Sequence, residues 1–230
     1  MLVPSPAGIP EQASRPSRTE SGRPYRGESL EARRADQRER LLGAARDVFA
    51  ERGYVASSID DVVARAAVSR TSFYHFFDNK EDCLLAVFWR GVEQVIVPLA
   101  ELAASDLEPE EKIRSGVESL VHALADDPPM ARVMLIEVVG ATPRAEEARS
   151  RARTEFAGLL AAQLREGPWR KAPKREVELV SVATMAAVAE SVGYLVATGR
   201  LDEWRTIVEP LSRYVLRALT PDRSLARQAR

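Results

Sequence analysis

The 230 residues are 45% hydrophobic and 29% charged, enough apolar side chain to bury a core without disulfide or metal staples. Thirty-three basic residues against 34 acidic leave a net charge of −1, which excludes a surface coated in phosphate-binding charge and confines any nucleic-acid contact to a local patch. The lone Cys83 excludes an internal disulfide, and it supplies no metal-ligand cluster with the two separated histidines, His75 and His122.

Nothing in this cysteine usage points to an oxidising compartment, so a cytoplasmic location with no cofactor is the expectation. The first thirty residues lack the apolar stretch of a signal peptide. The longest uncharged candidate for a membrane span, 179–189, stops at Glu190, short of the ~18 residues a span needs.

Residues 1–32 hold five of the fourteen prolines and three glycines among few apolar residues, a composition that reads as a flexible arm. Residues 15–40 carry eight arginines against five acids, a basic excess suited to phosphate contact or simply to a solvated tail. From residue 33 the pattern turns helical, with Leu41, Ala45, Val48 and Phe49 on one face and Gly53 as the stop. Ser58 opens a second, short helix in which Asp61 completes a capping box and Ile59, Val62, Val63 and Ala66 form the apolar stripe.

A tight turn at Ala66, Ala67 and Val68 leads to a further helix capped by Ser69. Phe73 and Phe76 fall on the side that packs on the second helix, with Val68 plugging the turn. Arg70, Thr71, Ser72, Tyr74 and His75 are left outside. An arginine, two hydroxyls, a tyrosine and a histidine at the N-terminal end of a helix supply donors for phosphate oxygens and base edges, which is the chemistry of a helix-turn-helix entering the DNA major groove. Asn79 then caps a helix with Asp82 at its third position, placing the Lys80 ammonium beside backbone N–H groups as an anion site.

These motifs taken together, Ser57-Ser58-Ile59, Val68-Ser69-Arg70, Phe73-Tyr74-His75-Phe76 and Asn79-Lys80-Glu81, closely resemble the DNA-binding domain of the TetR-type transcriptional regulators over roughly residues 35–90. The resemblance implies that Ser58 and Thr71 touch phosphates, that Arg70 and Ser72 approach bases, and that Tyr74, His75 and Lys80 clamp the DNA backbone, with the capping Ser69 in the same DNA-facing set. Two positions depart from the family pattern: Ala67 stands where glycine is usual, at a cost of about 1 kcal/mol if it is left-handed, and Phe77 where a polar residue is common. The family also implies a larger C-terminal helical domain that binds an effector and dimerises.

Beyond residue 79 the chain reads as helices at 79–97, 109–126, 129–140, 143–166, 173–198 and 201–219, with Pro98, Pro109, Pro128, Pro143, Pro173 and Pro221 at the boundaries. No segment alternates as a strand would. The expected architecture is all-α: an arm at 1–32, a three-helix DNA-binding domain at 33–78, an effector-binding and dimerisation domain at 79–220 entered through a connecting helix at 79–97, and a tail at 221–230.

His122 lies opposite the apolar face of its helix and is expected in solvent. Glu137 faces inward among Met130, Val133 and Met134, either as a pocket carboxylate or as a buried ion-pair partner, and Glu190 admits the same two readings. Trp89, Met130, Met134, Glu137, Phe156 and Met185 are candidates for an effector pocket, with Trp169 beside them, although residues at such spacing also make plain core.

No phosphate loop, nucleophile elbow or Cys/His pair supports catalysis, so an enzyme is not expected. The reading is a homodimer, paired through 173–198 and 201–219, that binds a palindromic double-stranded operator and is released by a small-molecule effector. An activator using the same reader and an effector-independent architectural DNA-binding protein are the alternatives.

Overall fold

A computed structural model describes residues 29–167 and 169–220; the arm at 1–28 and the tail at 221–230 lie outside the described residues. All regular structure among them is helical.

Helix α1, Leu30–Arg52, begins three residues earlier than its apolar pattern because the Ser29 hydroxyl accepts from the Ala32 N–H and caps it. It buries Leu41, Leu42, Ala45, Val48 and Phe49 and stops at Gly53, whose φ of 82° suits a residue without Cβ. Helix α2, Ile59–Ala66, carries the full capping box between Ser58 and Asp61. Its C-cap Ala67 is left-handed, with φ 52°, the one non-glycine residue with positive φ among those described.

Helix α3, Arg70–Tyr74, is shorter than the pattern implies, and the chain leaves it through a turn at His75. That exit swaps the expected inner residues: Phe73 is fully buried as foreseen, but Phe77 is the second buried ring and Phe76 is only half-buried. The aromatic that departs from the family pattern is therefore part of the core.

Helix α4, Lys80–Ala103, runs through Pro98 instead of ending there. Proline removes one ladder bond and kinks a helix, yet Val87, Phe88, Val92 and Val95 bury the preceding turns firmly enough to carry the helix past it. Pro210 is likewise absorbed inside α9.

Helix α5, Pro109–Asp126, and α6, Pro128–Arg132, start at prolines as expected. From Val133 to Glu137, however, the backbone widens into a π turn closed by Val138 N–H donating to the Val133 carbonyl at 3.1 Å. Helix α7, Pro143–Glu166, packs along α8, Lys174–Ala197. A 3₁₀ turn at Leu201–Glu203 then precedes α9, Trp204–Ala218, replacing the front of the expected 201–219 helix.

One continuous apolar core joins these elements. α4 packs on α1 at one end and on α5 and α7 further along. At a rise of about 1.5 Å per residue, its 24 residues span about 36 Å. α4 and α8 are both long and apolar enough to cross a membrane by length and composition, with mean hydropathies of 1.5 and 1.7, although each packs into this helical body.

Candidate DNA-binding face and apolar cavity

The candidate DNA-binding face is built by caps. Ser58 Oγ accepts from the Asp61 N–H at 3.2 Å and donates to Asp61 Oδ2 at 2.7 Å, and the Asp61 carboxylate accepts from the Ser58 N–H at 2.9 Å. Ser69 Oγ accepts from the Ser72 N–H at 3.0 Å and lies 2.9 Å from Ser72 Oγ. These bonds fix the first turns of α2 and α3 while Arg70, Thr71, Tyr74 and His75 remain exposed and Ser72 half-exposed. Arg40 reaches across from α1 to the carbonyls of Ala66 and Ala67, tying down the turn between the two helices.

Arg70 is not a free arm. Its Nη1 donates to both oxygens of Asp60, at 2.8 and 2.9 Å, and its guanidinium lies 5.8 Å from the centre of the Tyr74 ring. Reasoning from helical faces missed Asp60. Its signal was an acid in the first turn of α2, ten residues before Arg70, which a search for basic contact groups passes over.

Lys80 stands elsewhere than expected, and the anion site read at its helix start is not formed by its ammonium. Nζ turns back onto the loop between α1 and α2, donating at 2.7 Å to each of the carbonyls of Tyr54 and Ser57, and sits 4.4 Å from the centre of the Tyr54 ring. Carbonyl oxygens crowded at a loop are an electronegative cup, and an ammonium four carbons from its helix fills it. Burial pushes the Lys80 pKa down from the ordinary lysine value.

The same loop is held from the other side by Glu137. The π turn delivers this carboxylate, only 12% exposed, to the Tyr54 N–H at 2.9 Å and to Arg132 Nε at 3.1 Å. Glu137 is therefore an ion-pair and loop-anchoring residue and is not among the residues lining the apolar cavity described below, correcting its place among the pocket candidates. Gly53 leaves room for it, since a Cβ there would come within 3.3 Å of Glu137 Oε2. Arg46 with Asp127, at 2.7 Å, and Arg144 with Glu81 and Asp82, at 2.8 and 2.7 Å, add further ties around this junction. The Thr142 hydroxyl, then Arg144, hold the Glu81 carboxyl below its ordinary value.

A cavity of about 260 Å³ lies among the far end of α4, α5, α7, α8 and α9. Leu99, Leu102, Ile113, Leu120, Phe156 and Met185 supply apolar wall, and Lys112, Gln163, Glu166 and Thr184 supply the polar groups. Of the pocket candidates, Phe156 and Met185 line it. Met130 and Met134 do not, because both sulfurs close over Gly91 in the core. Trp89 lies under the Arg151 guanidinium, 5.0 Å from its ring centre, and Trp169 donates from Nε1 to the Leu219 carbonyl at 2.6 Å; neither lines the cavity.

Glu190 is exposed on α8, so neither inward reading holds for it. His122 is about half-exposed, pairing with Asp126 and meeting the Trp204 ring edge-on.

Residues 41–87 match the family model described as bacterial regulatory proteins, tetR family. The chain is 31% identical over 94 residues to the HTH-type transcriptional activator FasR of Mycolicibacterium smegmatis, covering 41% of this chain and 43% of that protein. It is 30% identical over 98 residues to the fatty acid metabolism regulator protein of Bacillus subtilis, covering 43% and 50%. It thus spans half or less of the length of these relatives.

The structure superposes on the fatty acid degradation regulator FadR from Bacillus halodurans with a TM-score of 0.71 at 22% identity, covering 81% of this chain and 96% of that one. On FadR from Bacillus subtilis in complex with stearoyl-CoA the TM-score is 0.64 at 22% identity, covering 76% and 97%. Residues 41–87 are therefore similar to the tetR family of bacterial regulatory proteins, and the described helices share the fold of these solved regulators.

Proposed function

We propose that this protein is a dimeric, cytoplasmic transcriptional repressor that reads a palindromic operator through its segment 33–78 and lets go when a long apolar ligand of fatty-acyl type enters the cavity of its segment 79–220. The observation that carries the DNA-binding half is the exposed set of Arg70, Thr71 and Tyr74 on α3 with His75 in its exit turn, presented from a helix whose buried side is Phe73. Ser58, Ser69 and Ser72 border it as hydroxyl groups within reach of phosphates.

For the ligand half, a cavity with apolar walls and a few polar groups suits a chain with a polar end. The fatty-acid regulators among the relatives, one of them holding stearoyl-CoA, support the same class. α4 offers the mechanical route, since Leu99 and Leu102 wall the cavity near one end and Lys80 grips the reader's loop at the other. A ligand that moves the far end of α4 changes the seat of the reader, and in a dimer that changes the spacing of two readers.

The dimer reading draws on α8 and α9, which expose Leu179, Val182, Tyr194 and Tyr214 to solvent. An apolar outer face on a helix already packed within its own body asks for a second surface.

The test is anisotropy titration against a duplex that this protein selects from a random pool. Arg70→Ala is expected to weaken that duplex by about 1–3 kcal/mol relative to a scrambled one. Stearoyl-CoA is expected to displace the selected duplex. Equal selectivity in Arg70→Ala would sink the recognition face, unaltered binding with stearoyl-CoA would sink the ligand class, and a stable monomer in sedimentation at micromolar concentration would sink the dimer.

A further inference from the structure

Asp60 is an acid inside a surface that has to approach phosphates, where its charge costs DNA affinity. Its partner explains the position. The pair with Arg70 is open to solvent, with side chains 68% and 56% exposed, so it does little for folding. What it does is restrain a guanidinium.

Arginine carries five N–H donors in a planar fork. Asp60 engages Nη1 alone, through both carboxylate oxygens, while Nη2 donates one of its two N–H groups to the Tyr74 hydroxyl at 3.4 Å. Nε–H and the second N–H of Nη2 are donors for two acceptors side by side, the pattern that guanine presents in the major groove through O6 and N7.

We propose that Asp60 is the specificity-determining positioning residue of the reader: it holds Nη1 of Arg70 so that the remaining edge meets a guanine, and it withholds that arginine from phosphates of random sequence. This rests on the assignment of Arg70 as a base-contacting residue. Two effects act in one direction. On the operator, a guanidinium already held loses less rotamer freedom when it docks. On random DNA, Arg70 must leave Asp60 before it reaches a phosphate, and the carboxylate itself repels the backbone. Removing the charge therefore lowers selectivity from both sides.

The experiment titrates Asp60→Asn, Asp60→Glu, Arg70→Ala and the Asp60→Asn/Arg70→Ala double variant against the selected and scrambled duplexes at several salt concentrations. Asp60→Asn is expected to lower the ratio of the two affinities about fivefold, the scale of one exposed charge pair. It also steepens the salt dependence on the scrambled duplex by about one phosphate contact. Asp60→Glu, which keeps the charge, restores most of the ratio. In the Arg70→Ala background, Asp60→Asn leaves the ratio where it is, because the group it positions has gone.

A role limited to the first turn of α2 would instead shift the melting temperature and leave the ratio unmoved. If Arg70→Ala lowers the ratio and Asp60→Asn does not, the inference is wrong and the assignment of Arg70 stands. If Arg70→Ala leaves the ratio unchanged, both fall together.

Discussion

Lys80→Ala separates a clamp on DNA from a clamp on the protein. In the structure the ammonium makes two bonds of 2.7 Å to the carbonyls of Tyr54 and Ser57. A hydrogen bond to a charged group contributes about 1.5–3 kcal/mol, so two set a ceiling of about 3–6 kcal/mol. Two effects reduce it: the ammonium is partly buried, which costs it hydration and lowers its pKa, and the Tyr54 carbonyl keeps the Ser57 hydroxyl as a donor when the lysine is removed.

A destabilisation of about 2–3 kcal/mol follows, or a fall of roughly 4–12 °C in Tm for a chain of this size. Lys80→Met, which keeps the apolar stem over the Tyr54 ring, is expected to lose somewhat less. Thermal and urea unfolding give the stability, and salt-dependent DNA titration of the folded variant gives the second readout. A Lys80→Ala variant that melts with the parent, and whose salt slope falls by about one, would place the ammonium on a phosphate and refute the loop-clamp reasoning.

Ala67→Gly is expected to raise stability by about 0.5–1 kcal/mol, because φ 52° strains any residue with a Cβ, and urea unfolding checks it. Gly116→Leu is expected to fill the cavity from α5, where even a Cβ would stand 3.8 Å from Leu99 and Leu102; the fold is kept and displacement of DNA by stearoyl-CoA is lost, as anisotropy would show. Cys83 is buried, with its thiol pushed up to about 12, so iodoacetamide is expected to label it only on unfolding; rapid labelling of the native protein would contradict its burial.

Local signals in the sequence located most helix ends. Ser58, Ser69 and Asn79 cap through bonds to residues three ahead, and Pro109 and Pro143 sit where helices begin. These contacts lie within one turn, so spacing alone reveals them. Pro98 misleads because its tolerance depends on burial of the rest of α4, which no local rule contains. Lys80 misleads for the same reason at longer range: a lysine at a helix start looks free until the carbonyls 23 to 26 residues upstream fold beneath it. Met130 and Met134 had the composition of a pocket wall, but Gly91 on a different helix made the space they fill.

The wide turn at Val133–Glu137 makes the seating of the loop between α1 and α2 a matter of counting. This turn closes a bond over five residues where an α turn closes one over four, so removing one residue ahead of Glu137 would leave an ordinary α turn and re-aim the side chains within it by about 100°. Glu137 would swing away from the Tyr54 N–H that it now meets at 2.9 Å, although its chemistry would be unchanged. The two halves of the molecule are thus fitted to each other by residue number as well as by residue type. A one-residue deletion ahead of Glu137 would take this anchor from the loop between α1 and α2, whereas the exposed bend between α4 and α5 gives a change of length room to be absorbed.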